Sequence, residues 1–309
     1  MLRAAKGLSH KTDIAPILAR LGLGASSAIP VGDDCAAIPD GDGFLLLAVE
    51  GFMPEFVTAD PHFAGYCGVL VNLSDVAAMG GRAIAVVDAV WSAGATQAEP
   101  IVAGLAEASA RYGVPVIGGH TNTRATVNLL SVAILGRAKL LLTSFDAKPG
   151  ETIIAAIDLR GRMRDPAPYW DASTMAPPGR LRGDLEILPA VAEQKLAAAA
   201  KDISMAGVVG TVLMLLEASR LGGWIDINAI PRPDSITLER WLLAFPSYGF
   251  LLSVRPENVT AVTALFTARG ISAAAIGSTD ASRIVRLRDN TGEKVLWRFE
   301  DDVLVGCAA

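Results

Sequence analysis

An α/β fold in two domains is expected from three features of the sequence: its length, the alternation of short apolar runs with helical spacings, and a turn-rich break near its middle. At 309 residues the chain exceeds the size at which one hydrophobic core usually stops growing. Hydrophobic residues make up 51% and charged residues 19%, a balance that suits helices packed on sheets and leaves apolar surface for a subunit interface. The break is AKPGET at 147–152, a Lys-Pro-Gly turn before the apolar run TIIAAI, and it divides the chain into domains 1–146 and 147–309.

The elements follow in order. Ile14, Ile17, Leu18 and Leu21 stand at helical spacing, and small residues at 22–27 then break the pattern into a loop. VGDDCAAI and FLLLAVEG, separated by PDGDG, read as paired strands with Asp33, Asp34 and Glu50 at their ends. Helical spacing returns from Pro61 to Met79, followed by the buried strand of GGRAIAVVDAVW. An Ala-rich helix at 97–112 stops at Gly113, and VPVIGG and TVNLLSVAILG are further strands. Residues 160–182, rich in Arg, Pro and Gly and without periodicity, read as a long loop able to act as a lid. Helical patterns come next at 184–200 and 206–221, then WIDINAI, a helix at 237–243, FLLSV, a helix at 256–268 and the strand ISAAAIG. IVRLRD and EKVLWRF form a hairpin around 289–292.

Composition excludes several classes of function. A net charge of −5 with no Lys/Arg-rich run gives no surface for a phosphodiester backbone, so nucleic acid is not an expected partner. Every apolar stretch is interrupted before the roughly 18 residues of a membrane span, and the first residues lack a secretory pattern, so a cytoplasmic protein is expected. Cys35, Cys67 and Cys307 share no zinc or disulfide spacing and read as packed thiols. The P-loop, the dinucleotide fingerprint, HExxH and GxSxG are all absent, and a three-His zinc site would consume all three histidines of the sequence.

Acidic residues beside glycine or at strand ends remain: GDD at 32–34, VEG at 49–51, NLSD at 72–75 and DIS at 202–204. Hard cations such as magnesium take such oxygen ligands, while each of these residues alone is equally a turn or cap residue. Asp75 sits among Leu70, Val71, Leu73, Val76 and Met79, where a charge needs a partner; ligand and capping roles both fit it. Gly118 and Gly119 before His120 and Thr121 could let backbone amides approach a phosphate, or could form a plain turn. His120 fits either a phosphate donor or a packed histidine.

Taken in order, these segments resemble the superfamily of aminoimidazole ribonucleotide (AIR) synthetase, thiamine monophosphate kinase and selenophosphate synthetase. VGDDCAAI is similar to its GDDAA motif, VNLSDVAAMGGRA to its core helix signature, VIGGHTNT to its GGDT, GGET or GGHS element, and KDISMAG to its DISDG or DVTGFG segment. The resemblance covers residues 31–210. It implies an AIR synthetase-like fold whose N-terminal sheets close into a barrel shared by a homodimer, with a C-terminal α/β sandwich and ATP in a cleft. It implies magnesium ligands at Asp33, Asp34, Glu50, Asp75 and Asp202, with Asp202 at the catalytic centre. It implies ATP contacts at Asn72, Gly118, Gly119, His120, Thr121 and Ser204. The expected activity is magnesium-dependent phosphoryl transfer from ATP to a small-molecule acceptor, as in a kinase or an ATP-dependent ligase. The chain departs from the family pattern at Val49 in place of Thr, at His120 in place of the kinases' metal-binding Asp, and at Met205 in place of the second Asp of DISDG. A non-catalytic nucleotide-binding protein on the same fold is therefore the alternative, and the chain reads as a divergent AIR synthase-related branch.

Overall fold

The computed structural model describes residues 6–21 and 29–306, so the loop expected at 22–27 and Cys307 lie outside the described residues. The chain is a mixed α/β protein of two compact units. One unit combines Cys35–Leu140 with Thr174–Pro189; the other combines the described residues up to Asp34 with Leu141–Ser173 and those from Ala190 onward.

The chain opens with α1 (Lys6–Ser9), a 3-10 turn at His10–Asp13 and α2 (Ile14–Leu21). The five-stranded unit then runs β1 (Ala36–Asp40), β2 (Gly43–Phe52), α3 (Pro54–Ala59), α4 (Pro61–Ala78), β3 (Arg82–Trp91), α5 (Ala95–Tyr112), β4 (Val116–Asn122) and β5 (Leu129–Ala138). Its sheet has the order β1-β2-β5-β3-β4. Only β3 and β4 pair in parallel, because α5 carries the chain back across the sheet between them. α4 starts where the Asp60 carboxylate accepts from the Phe63 amide at 3.2 Å and Pro61 takes the first helical position. It is buried along nearly its whole length. α4 and α5 meet backbone to backbone: a Cβ on Gly104 would stand 2.0 Å from the His62 carbonyl oxygen, so only glycine fits that crossing.

The two faces of this sheet differ. Leu46, Ala48, Val132 and Ile134 are buried on the α4 side, whereas Leu47, Val49, Val87 and Leu135 alternate to the other side and are exposed. The register puts Leu47 opposite Leu135, and Val49 and Val87 on either side of Ala133. The sheet is open, and the described residues of a single chain close no barrel.

The other unit is built on β6 (Thr152–Ile157), β7 (Arg162–Arg164) and β8 (Tyr169–Asp171). The chain then runs through α6 (Pro178–Leu185), in the segment that belongs to the five-stranded unit, and α7 (Ile187–Glu193) before β9 (Ala199–Asp202), α8 (Gly207–Ala218), β10 (Gly222–Asp226), α9 (Leu238–Trp241) and β11 (Gly249–Val254). A 3-10 turn at Pro256–Asn258, α10 (Val259–Thr267), β12 (Ser272–Asp280) and the hairpin β13 (Ile284–Asp289) and β14 (Gly292–Arg298) complete it. Seven strands form one sheet in the order β14-β13-β10-β12-β6-β11-β9, with β10 and β13 the parallel pair. Every residue of α8 is buried, and its Leu213 and Leu216 join Ile153, Ala155, Leu251 and Trp241 in the core. At the end of α8 the buried Glu217 carboxylate accepts from the amides of Leu304 and Val305, both at 2.7 Å, which ties down the C-terminal segment.

Two expectations from periodicity need correction. Residues 160–182 are not one long loop: β7 and β8 make a hairpin, and α6 begins at Pro178. Trp170 anchors the hairpin by donating its indole N–H to the Asp158 carbonyl at 2.8 Å and by packing edge-on against Trp241 at 5.0 Å. Strands of three residues are too short to leave a periodic trace. Nor is 184–200 one helix. After Glu193 the chain turns through Lys195 at φ 56°, and the alanines at 199 and 200 pair with β11. Alanine favours a helix, but ladder pairing outweighs so weak a preference.

Candidate functional site

Within the seven-stranded unit, the GDD segment and the KDIS segment come together although more than 160 residues separate them in sequence. Gly32, at φ 115°, makes the turn that delivers Asp33 and Asp34. Asp33 gives both carboxylate oxygens to Ser144: the amide donates to Oδ2 at 2.7 Å and the hydroxyl to Oδ1 at 2.6 Å. Asp33 Oδ1 also accepts from the Asp34 amide at 3.0 Å, which orients the next residue. Ser144 is itself fixed, since its carbonyl accepts from the Ser219 hydroxyl at 2.7 Å.

Asp34 faces the end of β9. The Lys201 ammonium donates to Asp34 Oδ1, and the Asp202 amide approaches Asp34 Oδ2 at 3.4 Å. Asp34 and Asp202 each offer an oxygen, the two within 4.8 Å of one another, a spacing that one hard cation can bridge. β11 holds this strand end in register, with Phe250 opposite Asp202 and Leu251 opposite Lys201. Asp202 is 3% exposed, and the Ser247 hydroxyl lies 3.4 Å from its Oδ2.

The backbone next to Asp202 is strained at two non-glycine positions. Ala206 has φ 93° where the chain enters α8, and Ser247 has φ 48°. The Ser204 amide donates to Thr211 Oγ1 at 3.4 Å, while the Ser204 hydroxyl oxygen is buried without a hydrogen-bond partner.

Charge balance in this cluster is decided by burial and by neighbours. Burial, reinforced by the adjacent Asp34 charge, pushes the Asp33 carboxyl up to about 6 against the opposing pull of Lys201 and Ser144. Burial also works against the Lys201 charge, but Asp34, Asp33 and Asp202 outweigh it and hold the ammonium protonated above the ordinary lysine range.

The remaining expected residues belong to the five-stranded unit. Asn72 and Asp75 lie one turn apart on α4 and are both buried. The Asn72 amide nitrogen donates to the carbonyls of Gly68 at 2.8 Å and Val132 at 3.0 Å, which clamps the helix to β5, and its Oδ1 is buried without a partner. Glu50, exposed on β2, and Asp88, on β3, both lie opposite Val132, and Gly119 lies opposite Asp88. Gly118, Gly119, His120 and Thr121 are therefore not a turn; they run inside β4, the edge strand of the sheet. A Cβ on Gly119 would meet the Asp88 carboxylate at 2.6 Å. The His120 ring packs against Trp91 at 5.6 Å between centroids.

Lys201, Ser144 and Asp88 were not singled out in the sequence. A lysine between the alanines of β9 and Asp202 was a signal for the first, since a buried ammonium needs carboxylate partners. Ser144 carries no local signal, because its role depends on a carboxylate 111 residues away. Asp88, whose carboxyl is raised by burial, interrupts the apolar run AIAVVDAVW and could have been found in the same way.

Comparison with known proteins matches residues 32–138 to the family described as AIR synthase related protein, N-terminal domain, and residues 173–290 to its C-terminal domain. An uncharacterized protein of Synechocystis is 49% identical over 310 residues, covering 99% of this chain and 96% of its own length. The phosphoribosylformylglycinamidine synthase subunit PurL of Methanosarcina mazei is 28% identical over 82% of this chain, which spans only 39% of that subunit. Thiamine-monophosphate kinase of Pyrococcus horikoshii is 29% identical over 48% of this chain and 49% of its own. Among solved structures, Thermotoga maritima PurL complexed with ADP superposes with a TM-score of 0.76 at 18% identity, over 91% of this chain and 47% of that one. The structure titled AaThiL complexed with AMPPCP and TMP gives 0.68 at 18% identity, over 92% of this chain and 93% of that one. Among the described residues, no helix is long and apolar enough to cross a membrane.

Proposed function

The chain belongs to the AIR synthase-related family, and from that premise we propose that it is a magnesium-dependent, ATP-using enzyme that transfers phosphate to a small-molecule acceptor. The observation that carries this reading is the pair of the half-buried Asp34, its side chain 5% exposed, and the buried Asp202, drawn from two distant motifs and spaced for one hard cation. Its donors suit magnesium, which takes carboxylate oxygens together with phosphate and water. Asp34 and Asp202 are the proposed ligands in the seven-stranded unit and Asp75 the proposed ligand on α4. Asp33, with both oxygens engaged by Ser144, orients Asp34, and Glu50 is an outer carboxylate.

Magnesium, when bound, would neutralise charge on the triphosphate during transfer. This chain's residues do the rest. Asp202 sits at the catalytic centre, Ser204 offers its hydroxyl beside the helix α8 N-terminus, and Asn72 offers Oδ1. Gly118, Gly119, His120 and Thr121 would supply further ATP contacts from the edge strand. A homodimer formed through the exposed side of the five-stranded sheet belongs to the same reading, because Leu47, Val49, Val87 and Leu135 form an apolar surface that water covers poorly.

Calorimetric titration with a non-hydrolysable ATP analogue and magnesium tests the proposal. Binding is expected in the wild type, weakened in Asp34→Ala and abolished in Asp75→Ala; a wild type that binds no nucleotide ends the reading. A second reading, nucleotide binding without turnover, is favoured by His120, whose ring packs on Trp91 at the position where the kinases of the family carry a metal-binding Asp. ADP release in the presence of candidate acceptors, thiamine monophosphate among them, separates the two.

A further inference from the structure

Lys201 is the one member of the Asp34 cluster for which a set of metal ligands gives no account. Its side chain is 10% exposed and its ammonium is paired with Asp34 Oδ1, with Asp33 and Asp202 also bearing on its charge. Without it, the Asp34 and Asp202 carboxylates would face each other across a short gap in a largely dry setting, which is costly unless a cation intervenes. In the described structure that cation is the ammonium. It therefore stands against one of the two oxygens that Asp34 could offer a divalent ion, and two cations so close together repel each other strongly.

We propose that Lys201 is an internal counter-cation that competes with the divalent ion for Asp34. The inference rests on the reading of Asp34 and Asp202 as metal ligands. When the ion arrives, the ammonium must leave Asp34 Oδ1, so free metal binds weakly. A triphosphate gives the displaced ammonium a new anionic partner, and metal and nucleotide then favour each other's binding. A flexible, strongly hydrated point charge on a long stem is suited to such a move, which the fixed fork of an arginine would make less readily. Lys201 is in this sense a positioning residue: it keeps the carboxylates arranged between binding events and sets the order in which ligands are taken up.

The test is manganese binding, read from the loss of the free-ion paramagnetic resonance signal, with and without a non-hydrolysable ATP analogue. Lys201→Met, which keeps the stem and removes the charge, is expected to bind manganese alone about tenfold more tightly than wild type, equivalent to ~1.4 kcal/mol. It is also expected to lose most of the gain that the analogue gives the wild type. Equal or weaker manganese binding by folded Lys201→Met overturns the inference. Should that variant not fold, acetylation of Lys201 in the wild type, followed by mass spectrometry, gives the second readout. Manganese is expected to speed its labelling, and an unchanged rate overturns the inference equally. Failure of the wild type to bind manganese under any condition removes the metal reading itself, a result distinct from metal binding that is indifferent to Lys201.

Discussion

The two sheets handle the burial of their apolar residues differently. In the seven-stranded sheet β6 and β11 are buried on both faces, and α8 is enclosed along its whole length. In the five-stranded sheet α4 and α5 account for one face, and the other leaves Val49 67% and Leu47 48% exposed. Strand composition alone does not distinguish them: the run FLLLAV within β2 is as apolar as TIIAAI. The difference is which elements are available to cover each face, and a sheet with one apolar face open is a unit whose burial is unfinished within a single chain.

The largest expected effect sharpens that contrast. Leu213→Ala, inside α8, is expected to cost about 3 kcal/mol in urea unfolding, as buried leucines do, whereas Leu47→Ala should cost under about 1 kcal/mol in the dilute monomer. Equal losses would break the comparison, since they would mean that Leu47 is covered within one chain. Next in size is charge placed on the open face. Val49→Asp combined with Leu135→Asp is expected to weaken self-association on the order of tenfold or more in sedimentation velocity, with the circular dichroism spectrum unchanged. If the wild type sediments as a monomer throughout, the open face has another occupant.

The smallest effect concerns charge in the better-buried unit. The Asp33 carboxyl is raised in the fold to about 6 from an ordinary value of 3.8. The folded protein therefore holds that proton more tightly than the unfolded chain, and this stabilisation is fully present below 3.8 and lost as pH rises through about 6. Metal-free protein should lose on the order of 1 kcal/mol over that window after allowance for solvent screening, and Asp33→Asn should flatten the profile. Parallel profiles in denaturant unfolding for the two proteins would show that Asp33 is ionised throughout.

The candidate site residues proposed in each unit were legible in the chain as far as their motifs are local. Gly32 before Asp33 and Asp34, NLSD within an apolar helix, and DIS after an apolar strand each declare an acidic residue held at the end or inside of a regular element. What was not legible depended on pairing. β7 and β8 are too short to show a period, the alanines before Lys201 join a strand against their own preference, and the glycines at 118 and 119 extend an edge strand instead of turning.

The sequence by itself determined the α/β class, the helices α4, α5 and α8, most strands, and the acidic residues proposed to hold a metal, because periodicity and turn chemistry act over a few neighbouring residues. Only the tertiary structure decided that Ser144 takes both oxygens of Asp33, that Lys201 stands on Asp34, and that His120 turns toward Trp91. Those contacts join residues far apart in the chain or across strands, and a long-range pairing leaves no trace in the spacing of either partner.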